Sequence, residues 1–154
     1  AKYGWSKEQV DQAHERVEGI AAQAGLDYHL DSTRGGNSFD AHRLLHLAAE
    51  VGKQDALKEA FLRAYFTDNE AVGDHAALTK VAVAVGLDEA EVMETLASDR
   101  FADAVREDEQ RARLLGISGV PFFAIDEAYG ISGAQPADHM LAALEHAWNA
   151  HAAA

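Results

Sequence analysis

Cysteine is absent from the 154 residues. Without it there is no disulfide, no thiolate nucleophile and no cysteine-ligated metal. Basic residues are outnumbered 13 to 26 by acidic ones, giving a net charge of −13. That balance repels nucleic acid and anionic lipid, so neither is expected as a partner. No apolar run approaches the length of a membrane span, and the opening AKYGWSKEQV lacks the pattern of a signal peptide. A soluble chain without membrane partners is expected. The G-x-S-x-G elbow, the P-loop and G-x-G-x-x-G are also missing, which removes support for serine-hydrolase and nucleotide-binding readings. Carboxylates are many but scattered, and none pairs with a partner in a recognisable acid/base spacing.

What remains is a mostly helical pattern. The apolar fraction of 48% suits a globular chain, and the length suits one domain with a core, or one domain plus an insertion. Residues 2–25 read as a helix opened by the capping box Ser6-x-x-Gln9, with Val10, Ala13, Val17, Ile20 and Ala24 on one stripe. Gly25 is placed to stop it. Leu26 to Asp31 alternates apolar and polar residues, which predicts a half-buried strand. After the loop 32–37 come five helical segments separated by short turns: Phe39–Val51, Gln54–Phe66, a stretch capped by Asp74 and running to Gly86, one from Asp88 to Ala97, and Asp99–Leu115. Their number and short connections predict a small antiparallel bundle. A last helix, 137–150, follows Pro136 and is expected to turn Met140, Leu141, Leu144 and Trp148 inward.

The segment GISGVPFFAIDEAYGISG, Gly116 to Gly133, differs from everything around it. Val120-Pro121-Phe122-Phe123-Ala124-Ile125 is apolar and rich in β-branched and aromatic residues, as in a buried strand. The Asp126-Glu127 break and the run 128–132 complete a β-hairpin pattern. Spacing alone leaves Pro121 as an ordinary trans proline opening a strand. His42-x-x-x-His46 puts two imidazoles one turn apart on a helix, a spacing that can bind metal. With no Glu between them and no nearby third ligand, no metal site is expected.

Gly-Ile-Ser-Gly-Val-Pro-Phe-Phe, followed by Tyr-Gly-Ile-Ser-Gly-Ala-Gln-Pro, resembles the C-terminal half of DsbA-family thioredoxin-fold oxidoreductases, and within them the FrnE-like cytoplasmic branch. Asn37-Ser38-Phe39-Asp40-Ala41-His42-Arg43 resembles the segment that opens that family's inserted helical domain. The resemblance implies a mostly helical α/β chain with a partial thioredoxin-like fold. It implies three parts: a thioredoxin-like helix and strand over 1–36, an inserted helical bundle over 37–115, and a ββα unit over 116–154. It implies a cis Val120–Pro121 bond, and a substrate-binding role for Gly119, Val120 and Pro121. Asn37, His42 and Arg43 are possible accessory residues, beyond helix capping and interdomain contact. The family's Cys-x-x-Cys, first strand and first helix have no counterpart here, so the chain is expected to be the C-terminal portion of a longer protein. It should itself be inactive in thiol–disulfide exchange and prone to self-association. The parent activity would act on a thiol or disulfide protein, or a small thiol, without a cofactor. Two alternatives stay open: a glutathione-using isomerase or transferase of the kappa and chromene-carboxylate type, and a non-catalytic helical binding module.

Overall fold

The computed structural model describes residue 4 and residues 6–152. The chain divides into two compact units, one up to Val105 and the other from Arg106 onward. This boundary falls inside a helix, whereas the sequence-based division placed its breaks at residues 36 and 115.

In the first unit, α1 (Lys7–Gln23) is opened by the expected capping box, with the Ser6 hydroxyl accepting from the Gln9 N–H and the Gln9 side chain accepting from the Ser6 N–H. The expected start at Lys2 lies outside the described residues. At the other end, Gly25 has a φ of +78°, and the N–H groups of Gly25 and Leu26 donate to the carbonyls of Ala22 and Ala21. This closes the helix in a Schellman turn that only a residue free of a Cβ adopts cheaply. The expected inward stripe is largely exposed: Val10 and Ala13 are half-buried, but Val17, Ile20 and Ala24 face solvent, and the buried residue is Ala21, outside the stripe.

The strand predicted for Leu26 to Asp31 does not form. The chain there is irregular and ends in one 3-10 turn, Leu30–Ser32. Its backbone groups find other partners, which is why alternation alone failed to make a strand. The His29 N–H donates to the Phe66 carbonyl at 2.8 Å, and the Leu30 N–H donates to the Glu18 carboxylate at 2.6 Å. Tyr28 stacks on Phe66 with ring centroids 4.6 Å apart, clamping the segment against a helix end. A strand needs a neighbour to pair with, and the two-stranded sheet of the described residues lies elsewhere.

Four of the five expected helices pack into a bundle. The helices α2 (Phe39–Glu50), α3 (Gln54–Phe66), α4 (His75–Ala84) and α5 (Glu89–Ala97) pack around Leu44, Leu47, Leu57, Leu78 and Val92, all essentially inaccessible. Asp74 and Asp88 each cap a following helix with the side chain, accepting from Ala77 and Glu91. The helix α6 (Ala102–Leu114) begins three residues later than Asp99, because Phe101 adopts a φ of +62° and breaks the run.

In the second unit, β1 (Phe122–Ile125) pairs antiparallel with β2 (Tyr129–Ser132), Phe123 opposite Ile131 and Ile125 opposite Tyr129. The turn carries Asp126 and Glu127 at φ values of +50° and +55°, and the Ala128 N–H donates to the Ile125 carbonyl. Two successive left-handed residues match the twist of a hairpin. At Gly130 a Cβ would stand 2.7 Å from the tip of the Phe122 ring, so any side chain there would have to displace that ring. The helix α7 (Ala137–Ala152) follows, with His146 edge-on to Tyr129 at 5.4 Å. Its expected inward face is corrected by the structure. Ala147 is buried, whereas Leu141, Leu144 and Trp148 are exposed. The two strands of the hairpin are too narrow to cover a helix face of that width.

Candidate functional site

The residues singled out from the sequence fall into two sets, one in each unit. In the second unit, Gly119, Val120 and Pro121 form an exposed approach to β1, joined by a cis bond between Val120 and Pro121. Val120 is 92% exposed, the most accessible large apolar residue among those described. Gly119 has open space around its Cα, so a side chain would meet nothing there. The Pro121 carbonyl accepts from the Gly133 N–H at 2.8 Å, tying the base of the approach to the far end of β2. On its other edge β1 has no strand neighbour among the described residues. The arrangement presents an apolar side chain and a sheet edge in the same place, and a strand edge is a template for an extended peptide. An ion pair between Arg111 and Glu127 braces the hairpin turn against the end of α6.

In the first unit, the start of α2 holds Asn37, His42 and Arg43. The Asn37 side-chain oxygen accepts from the Phe39 N–H at 3.0 Å, while Ser38 occupies the cap position without making a side-chain capping bond. Arg43 is 4% exposed. Its guanidinium donates to the carbonyls of Thr95 and Ser98, to that of Arg100 at 2.9 Å, and to the Asp40 carboxylate at 2.8 Å. Every one of those acceptors is protein, so Arg43 works as an internal anchor between α2 and the α5–α6 turn. Asp40 also accepts from His75 at 2.8 Å. Partial burial pushes the Asp40 carboxyl up, but the hydrogen bonds and charges of Arg43 and His75 outweigh this and hold it below its ordinary value. Outside this network, His29 is raised above its ordinary value by the Thr67 carbonyl and then by Asp27. His42, by contrast, points to solvent and lines a cavity with Lys58 and Tyr65 of α3. Sequence reading missed those two; their spacing of seven residues along one helical stripe was the available signal.

The model of the DsbA-like thioredoxin domain matches residues 1–145. The chain belongs to the DsbA-like thioredoxin family. It is also similar to the crystal structure of a probable DsbA oxidoreductase from Streptomyces coelicolor, with 47% identity, 97% of this chain covered and a TM-score of 0.90. The chain spans 64% of that protein's length. No curated protein matches it. The mostly helical α/β architecture is therefore the DsbA-like thioredoxin fold. These 154 residues hold no cysteine. No helix among the described residues is long and apolar enough to cross a membrane.

Proposed function

We propose that this chain forms the substrate-docking part of a cytoplasmic thiol–disulfide oxidoreductase of the FrnE-like branch. Gly119, Val120 and Pro121 receive an extended thiol- or disulfide-bearing chain beside β1. The dithiol needed for exchange is not among these residues, so the chain alone docks and does not turn over. In the exchange itself, a thiolate attacks one sulfur of the substrate disulfide, forms a mixed disulfide and expels the other sulfur as a thiolate. The observation that carries the reading is the combination of family membership with an open β1 edge next to an almost fully exposed Val120. The branch assignment rests on the Gly116 to Gln135 segment and the Asn37–Arg43 segment.

The test uses the full chain and an unfolded peptide whose cysteines are S-methylated, so that docking is read without chemistry. Saturable amide shifts at Gly119, Val120 and Phe122–Ile125 are expected, and Val120→Asp should weaken them. Binding that leaves these amides unmoved, or no binding at all, overturns the reading. In an insulin-reduction assay the same protein should match the blank; turnover above it would require another chemistry.

A further inference from the structure

A trough of about 770 Å³ runs between α4 and α5, wholly within the first unit and apart from the docking edge at β1. Ala76 and Val83 of α4, with Met93, Leu96 and Ala97 of α5, give it an apolar floor. Leu96 is buried, whereas Val83 is 38% and Met93 57% exposed. Met93 is unbranched and polarizable, so it adapts to what is laid on it.

The polar groups of the walls are already matched, with one exception. The Thr79 hydroxyl donates to the His75 carbonyl at 2.8 Å. The His75 ring pairs with Asp40 at 2.8 Å, and the Lys80 ammonium pairs with Glu70 at 2.6 Å. The Glu89 carboxylate has no side-chain partner among the described residues. On α5 there are three glutamates, Glu89, Glu91 and Glu94, and no basic residue. The uncompensated charge at the trough is therefore negative, in keeping with the net charge of −13.

The walls also decide what kind of chain fits. Their backbone groups are spent inside their own helices, so the floor offers an extended chain nothing to pair with. A strand laid there would lose water from its N–H and C=O groups without gaining partners. A helix satisfies its own backbone and brings only side chains to the floor. With 10 residues in α4 and 9 in α5, the trough is about 15 Å long, room for a partner helix of roughly three turns.

From an apolar floor between two helices and one unmatched carboxylate at its edge, we propose that the trough docks an amphipathic, cationic helix of a partner protein. The partner's apolar side chains at i, i+4 and i+7 lie over Val83, Met93 and Leu96, and a Lys or Arg beside them pairs with Glu89. The bundle is then a binding surface in its own right, separate from any exchange chemistry.

The probe is a helical peptide of about four turns with leucine at i, i+4 and i+7 and lysine on the opposite face, titrated into the full chain. Its controls are a scrambled peptide of the same composition and a version with glutamate in place of lysine. Saturable shifts are expected at the methyl groups of Val83 and Met93. Scrambling the peptide, or Met93→Gln in the protein, should each weaken binding about tenfold through lost apolar contact. Glu89→Gln should weaken it about threefold, the worth of one exposed ion pair, and added salt should do the same to the parent. Both residues are exposed, so neither change reaches the bundle core. Absence of saturable binding, or a scrambled or glutamate peptide that binds as tightly, overturns the proposal. So do shifts that map to β1 or to Leu144 and Trp148. Trough methyl groups that shift with protein concentration alone also overturn it, since the occupant is then a second copy. Should either variant fail to fold, the three peptides on the unmodified chain decide alone.

Discussion

Arg43 illustrates how little a residue's type says about its task until its partners are known. Within the Asn37–Arg43 segment it was as good a candidate for an accessory binding role as His42. The fold buries it against three carbonyls lying 52 to 57 residues further along the chain. No sequence pattern encodes such a reach. Removing the guanidinium would strand those carbonyls and leave Asp40 without its nearest cation. Arg43→Leu is expected to cost about 3 kcal/mol in urea denaturation. Arg43→Lys should recover only part of the loss, since an ammonium is a point charge and cannot span several acceptors in one plane. A leucine variant as stable as the parent would show that the anchor is not structural. His42, one residue away in the same motif, ends at a cavity rim, and only the rotation of α2 separates the two fates.

At the level of elements, helices were legible because their signals are local. Gln54–Phe66 has the bounds read from its sequence, and the caps at Ser6, Asp74 and Asp88 hold the bonds their spacing implies. The hairpin was legible for the same reason: an apolar run, a polar break and a second run lie next to one another. The segment at Leu26 to Asp31 was not, because alternation describes a strand only if a neighbour is at hand. The link between α2 and α4 through Asp40 and His75 yields a pH-dependent expectation. The folded state holds the Asp40 carboxyl below its ordinary value, so its contribution is complete at neutral pH. That contribution is lost as the pH falls through about 4, the unfolded value, toward the lower folded one. Asp40→Asn should therefore be less stable than the parent near neutrality, and the gap should close in acid. Denaturation midpoints for both proteins across that range check it; a gap that stays constant with pH would show that the loss is one of packing.

For the whole molecule, the distribution of apolar surface is the feature that matters most. Val17 and Ile20 on α1, and Leu141, Leu144 and Trp148 on α7, stand exposed where the helical patterns read as core faces, Trp148 at 74%. Such surface favours burial against another chain, while a net charge of −13 opposes it. Self-association is expected, and it should strengthen with added salt as the charge is screened. Sedimentation across concentration and ionic strength tests this, and Leu144→Glu with Trp148→Glu should suppress it. A monodisperse monomer under all conditions would rule it out. The sequence by itself determined the helices, their caps, the hairpin and the absence of a thiol from these residues, because each depends on neighbours within a few residues or on composition alone. Tertiary structure decided which apolar stripes are covered, where Arg43 and His42 end, and that Leu26 to Asp31 is not a strand. Those outcomes depend on groups tens of residues away, whose distances a pattern in the chain does not contain.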